Sequence, residues 1–266
     1  MDGIVLQRSE FLVLLDALQA PTIIGVPRDG LIPREPEQFR AQVRDGIDHL
    51  KKRNLLKVND NIQVLDGDLL AMAATVAYPQ LAFITTHDTA AGQQLFLHYQ
   101  TDGILVEQTF PEEKVHRLAV LADRAVLLAR LRAILALPEQ GSALEGSVTL
   151  PVQAFSEMKA KAEAGQTDAA VKVLTQAKMA DAPARLLVDS LQAPIAGNSV
   201  VLLRCRRGQV SSSRNAAVEQ GRSAAWVITT PDGEPANIRV ATTTAGAVMD
   251  QVRQWAEELV PAAPKA

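Results

Sequence analysis

The chain has 266 residues, 47% of them hydrophobic and 4% aromatic, with a net charge of -3. That length and apolar content supply a sizeable core and exclude a disordered chain, and the slight acidity excludes a surface that tracks nucleic acid throughout, which needs a broad excess of Lys and Arg. Cys205 is the only cysteine, so no internal disulfide forms and a reducing, cytoplasmic setting is expected.

At the N terminus Asp2, not a basic region, follows Met1, so no secretory signal is expected; no apolar run reaches a membrane span, residues 11–18 being broken by Asp16. Gly3-Ile4-Val5-Leu6 reads as a short strand, and Ser9 stands where it would cap a helix over residues 12–18. Beyond a Pro- and Gly-rich loop at 21–36, Phe39, Val43, Ile47 and Leu50 recur at fours and a three, which predicts an amphipathic helix ending near Arg53-Asn54. Residues 55–58 and 62–64 flank Asn59-Asp60-Asn61, a polar turn that predicts a hairpin. A helix followed by a small hairpin is winged-helix-like. It makes a DNA-binding transcriptional regulator the alternative function, with Lys51, Lys52, Arg53 and Lys57 as phosphate contacts. Basic residues at a helix C terminus also complement its dipole without any ligand.

A helical segment at 69–76 leads into strands at 81–86, 94–99 and 104–106, with Gly92 in the first gap and Thr101-Asp102-Gly103 as a tight turn in the second. From Glu112 on, Val115, Leu118, Ala119, Ala122, Val126, Leu127, Leu131, Ile134 and Leu135 fall at threes and fours, which predicts one long covering helix. Pro138-Glu139-Gln140-Gly141-Ser142 then breaks the pattern, dividing the chain into an N-terminal half, 1–140, and a C-terminal half, 141–266, within one compact domain. The second half opens with helices marked by Val152, Phe155 and Met158, by Ala169, Val173 and Leu174, and by a stretch from Ala182-Pro183 to Leu191. Strands follow at 199–205, 225–230 and 237–240, with Pro231-Asp232-Gly233 turning the chain. Ala247, Val248, Val252, Trp255, Ala256 and Leu259 stripe a final helix, and the tail 261–266 carries no pattern. Helix, strands, helix therefore occurs twice, an internal repeat of order with little identity between copies.

His49, His87, His98 and His116 are scattered, so no metal site is expected, and no glycine-rich loop ends in Lys-Ser/Thr, so no nucleotide cofactor is. His87-Asp88-Thr89 has acid–base residue types and makes a hydrolase a third reading, without any nucleophile motif to complete it. Charge is uneven in one place: across 199–222, the five arginines Arg204, Arg206, Arg207, Arg214 and Arg222 stand against Glu219 alone. Strand alternation puts Arg204 and Arg206 opposite Val201, Leu203 and Cys205, and exposed Arg suits an acidic protein partner as well as it suits a solvated face.

Ile4-Val5-Leu6 leading into Ser9-Glu10-Phe11, the Pro-rich loop, Leu50-Lys51-Lys52-Arg53-Asn54-Leu55, Ala77-Tyr78-Pro79, and Val227-Ile228-Thr229-Thr230-Pro231-Asp232-Gly233 together resemble the EspG family, cytosolic chaperones of type VII secretion. Asn54 stands where that family carries glycine, and Thr230-Pro231-Asp232 replaces an Asp-Thr-Pro order. The resemblance implies an α+β fold, a pseudo-twofold repeat forming a central antiparallel sheet with two helical bundles, and it implies no catalysis and no cofactor. It also implies binding: the sheet and the C-terminal helical region cap the apolar tip of a helical secreted substrate protein, which keeps that tip from aggregating before export. A monomer or homodimer is expected. By position the partner-binding residues are Arg204, Arg206, Arg207, Arg214 and Trp226, although a Trp at that place also suits the core.

Overall fold

The computed structural model describes residues 3–20, 22–59, 62–101, 103–206 and 208–259, with residues 29, 30 and 59 described by backbone alone. The expected turn at Asp60-Asn61, Asp102, Arg207 and the tail 261–266 lie outside the described residues.

The first half runs β1 (Ile4–Gln7), α1 (Arg8–Ala17), α2 (Arg28–Leu31), α3 (Pro36–Lys52), β2 (Leu56–Asn59), β3 (Ile62–Leu65) and α4 (Gly67–Ala77). It continues with β4 (Leu81–Thr89), β5 (Gly92–Thr101), β6 (Ile104–Thr109), β7 (Val115–Leu121) and α5 (Arg124–Leu135). The second half runs β8 (Ser147–Pro151), α6 (Val152–Glu163), α7 (Thr167–Gln176) and α8 (Asp181–Gln192). It ends with β9 (Ala196–Arg206), β10 (Gln209–Gln220), β11 (Ala225–Thr229), β12 (Asn237–Thr243) and α9 (Ala245–Leu259). β2 and β3 form a separate hairpin, and the other strands form one ten-stranded antiparallel sheet in the order β1-β7-β6-β5-β4-β9-β10-β11-β12-β8. In each half the first strand closes on the last strand of a four-strand meander, and the two meanders meet where β4 pairs with β9.

Period-two alternation splits the sheet into two faces. On one, Leu6, Tyr99 and Val106 pack under α1, α3 and α4 with Phe11, Leu14, Leu50 and Leu69, while Val148, Trp226 and Val240 pack under α6, α7 and α8 with Met158, Leu174 and Leu187. On the other, Leu81, Phe83, Val200, Leu202, Ala216 and Val218 are covered by Leu127 and Leu131 of α5 and by Val248 and Val252 of α9.

Four expectations need correction. The helix predicted from Glu112 begins at Arg124, capped by Asp123, whose carboxylate accepts from the Val126 N–H at 2.9 Å. Its first turns are in fact β7, which is hydrogen-bonded on both sides and buries Val115, His116, Leu118, Ala119 and Leu121. Apolar residues at threes and fours arise equally in a strand buried on both faces. The second meander contains a strand that the sequence reading passed over, β10, whose Ser211-Ser212-Ser213-Arg214-Asn215 has no apolar signature and is held by pairing with β9 and β11. α1 is capped by Gln7, not Ser9: the Glu10 carboxylate reaches back to accept the Gln7 N–H at 2.8 Å, and Ser9 lies inside the first turn. β8, the edge strand beyond β12, was also unread, being short and followed directly by α6.

Candidate functional site

β9 carries the arginines as alternation predicts. Val200 and Leu202 point beneath α5 and α9 and are buried, but further along the same face Arg204 and Arg206 are exposed, whereas Cys205 on the opposite face is buried. Arg214 of β10 sits across from Leu202, so it lies on the face of Arg204 and Arg206 and beside them. Its Nη2 lies 3.5 Å from Asp232 Oδ1 and 3.9 Å from Glu258 Oε2, and its buried Nε finds no acceptor among the described residues. Two strands further on, Thr229 of β11 lies between Ala216 and Arg239 in the register, which brings Arg239 of β12 onto this face. Arg239 is exposed and has no ion-pair partner among the described residues.

Arg214 and Arg239 border a recess beside α9. Its outer part, about 570 Å³, is polar and includes Ser213, Arg214, Asp232 and Arg239. Thr229, Arg239, Gln251 and Trp255 are shared with a second cavity of about 190 Å³, which runs beneath α9 between Val227, Ala241, Val248 and Val252.

Of the residues expected to bind a partner, the structure brings together Arg204, Arg206 and Arg214, and Arg207 lies outside the described residues. Trp226 is not with them. It faces the other way, is fully buried under α8, and donates from Nε1 to Ser190 Oγ at 3.2 Å, so the expectation that it belongs to a docking face is corrected to a core role. The reason is alternation: Trp226 pairs with Glu219, one residue out of step with Val218 on the arginine face. Arg239 and Trp255 were missed, since without β10 in place no chain of register connects β9 to β12.

The remaining candidates resolve into structural roles. His87 is a strand residue, and its Nδ1–H donates to Asn198 Oδ1 at 2.6 Å while Asn198 Nδ2 reaches Leu135 O at 3.4 Å, tying the end of α5 to the sheet. Arg53, expected on phosphate, turns inward to Glu10 Oε2 at 2.8 Å and Val5 O at 2.9 Å and fastens the end of α3 to β1. Lys51, Lys52 and Lys57 remain exposed. A second partly open surface lies between the two helical bundles, where Ile84, Val201 and Leu203 are half-buried beside the Thr86 and Ser199 hydroxyls, 2.7 Å apart. Among the described residues no group of His, Cys, Asp or Glu is placed to hold a metal ion, and no helix is long and apolar enough to cross a membrane.

No protein-family model matches the chain, and no curated protein is similar to it. Among solved structures it is similar to the Mycobacterium tuberculosis type VII secretion system chaperone EspG5, solved in complex with the PE25-PPE41 dimer. The likeness has a TM-score of 0.70 at 14% identity and spans 99% of this chain and 98% of that one. At that identity the likeness is one of fold, carried from end to end.

Proposed function

We propose that the protein is a non-catalytic cytoplasmic chaperone or adaptor that holds a helical secreted protein and keeps it soluble for export. The observation that carries this reading is the end-to-end fold likeness to a chaperone solved with its partner bound. The physical fit supports it. A stretch of sheet surface rich in guanidinium, with Arg204, Arg206 and Arg214 on one face of β9 and β10, pairs with carboxylates around an apolar tip, and Arg207 extends the same basic run in sequence.

The test is co-expression with any small helical export protein whose gene adjoins its own, followed by gel filtration. A stable complex is expected with the wild type, and an Arg204→Glu, Arg206→Glu, Arg207→Glu variant that keeps its far-ultraviolet spectrum is expected to bind at least about tenfold more weakly. Absence of any complex, together with salt-sensitive DNA retention that Lys51→Ala and Lys52→Ala weaken, would overturn the proposal in favour of the winged-helix regulator.

A further inference from the structure

We infer that the recess beside α9 is a peptide site that takes an aliphatic side chain in its inner slot and an adjoining acidic side chain at its arginine mouth, with Asp232 as an internal stand-in for the acid. The inference deepens the chaperone reading and rests on it only for the partner's being a protein.

The mouth is built for a carboxylate. Arg214 keeps its Nε buried with no acceptor, and Arg239 is exposed with no ion-pair partner among the described residues. The acids already near Arg214 hold it loosely: Asp232, on the turn between β11 and β12, is 83% exposed and 3.5 Å away, and Glu258 of α9 is 3.9 Å away. Exposed pairs at such distances gain little over water, so an incoming carboxylate that also reaches the buried Nε displaces Asp232 at small cost.

The inner slot explains what must accompany the acid. At about 190 Å³, and walled largely by Ala216, Val227, Ala241, Val248 and Val252, with Thr229, Arg239 and Gln251 where it joins the outer recess, it has room for one branched aliphatic side chain. The outer recess is three times larger, at about 570 Å³, and its Ser213, Asn215, Thr229 and Thr230 supply hydroxyl and amide groups along the wall. A fatty acid would leave those groups unused. A polypeptide backbone, with a donor and an acceptor at each residue, engages them.

The probe is a phage-displayed library of random twelve-residue peptides panned on the purified full chain. Enriched peptides are expected to share Asp or Glu beside Leu, Ile, Val or Met. Arg239→Gln, a change at an exposed position, is expected to weaken the selected peptides about tenfold in fluorescence polarisation, and Asp232→Asn to tighten them about threefold. Enrichment of peptides without an acidic residue, no enrichment, affinity unchanged by Arg239→Gln, or displacement of the peptides by octanoate at equal concentration would each overturn the inference. None of these touches the chaperone reading, which stands or falls on the gel-filtration complex; that complex surviving Arg239→Gln would remove only the recess.

Discussion

His116 stacks on Phe11 with ring centroids 4.3 Å apart, meets Phe110 edge-on at 5.4 Å, and shares a 2.9 Å hydrogen bond between its Nδ1 and Gln108 Nε2. Burial pushes its pKa down from 6.5 to about 4, with the Arg8 charge adding to the shift. The folded pKa is depressed, so on acidification the unfolded chain takes up the proton first. The stability that the neutral ring contributes is therefore complete above pH 6.5 and is lost as pH falls toward 4, on the order of 3 kcal/mol in all. Urea midpoints at pH 7 and pH 4.5 are expected to differ clearly in the wild type and much less in His116→Gln. Glu107 works in the opposite chemical sense but in a lower window. Its carboxylate is held below the usual range first by the hydrogen bond from His98 Nε2 at 3.3 Å, then, against the cost of burial, by the charges of His98, Arg130 and Arg117. Its contribution is present above pH 4.5 and disappears below, and Glu107→Ala, which takes the hydrogen-bond partner from the buried His98 ring under α5, is expected to cost about 1–3 kcal/mol in urea at pH 7.

At the scale of elements, α1 and α3 touch because Gly46 has no side chain: a Cβ there would stand 2.1 Å from the Ser9 carbonyl oxygen and 2.8 Å from Val13 Cγ2. Backbone cannot yield as a flexible side chain does, so Gly46→Ala is expected to cost at least about 2 kcal/mol in thermal or urea unfolding. Gly67→Ala, in the first turn of α4 with nothing within 4 Å of its Cβ, is expected to be neutral or stabilising by about 0.5 kcal/mol. The same contrast explains how much of the fold was legible. α3, α7, α8 and α9 have apolar residues on one side only, and a one-sided stripe names a helix. β7 is buried on both faces and so carries no alternation, while β10 is polar along Ser211-Ser212-Ser213 and is a strand because its neighbours need a partner. The site inherits these limits. Alternation within β9 correctly set Arg204 and Arg206 apart from Cys205, but Arg239 becomes their neighbour only through β10 and β11, and Trp226 leaves the site for the same reason of register.

At the scale of the whole molecule, the two halves share one sheet, and the seam between them is well covered on the face under α5 and α9. Phe83 of β4 pairs with Leu202 of β9, both are buried, and α5 from one half and α9 from the other lie over that row. Such a seam is inconsistent with two units that melt independently, because unfolding either half would expose Leu81, Phe83, Val200 and Leu202 of the other. Both tryptophans, Trp226 and Trp255, lie in the second half, so their fluorescence reports on that half alone. Leu14 is fully buried in the first half's core, against α1's neighbours and far in sequence from either indole. Leu14→Ala is expected to cost about 2–5 kcal/mol through the cavity it leaves. In a single cooperative domain the tryptophan signal in urea shifts by that full amount, coincident with far-ultraviolet circular dichroism. A fluorescence midpoint left at its wild-type value while the circular dichroism curve divides in two would show that the seam does not couple the halves.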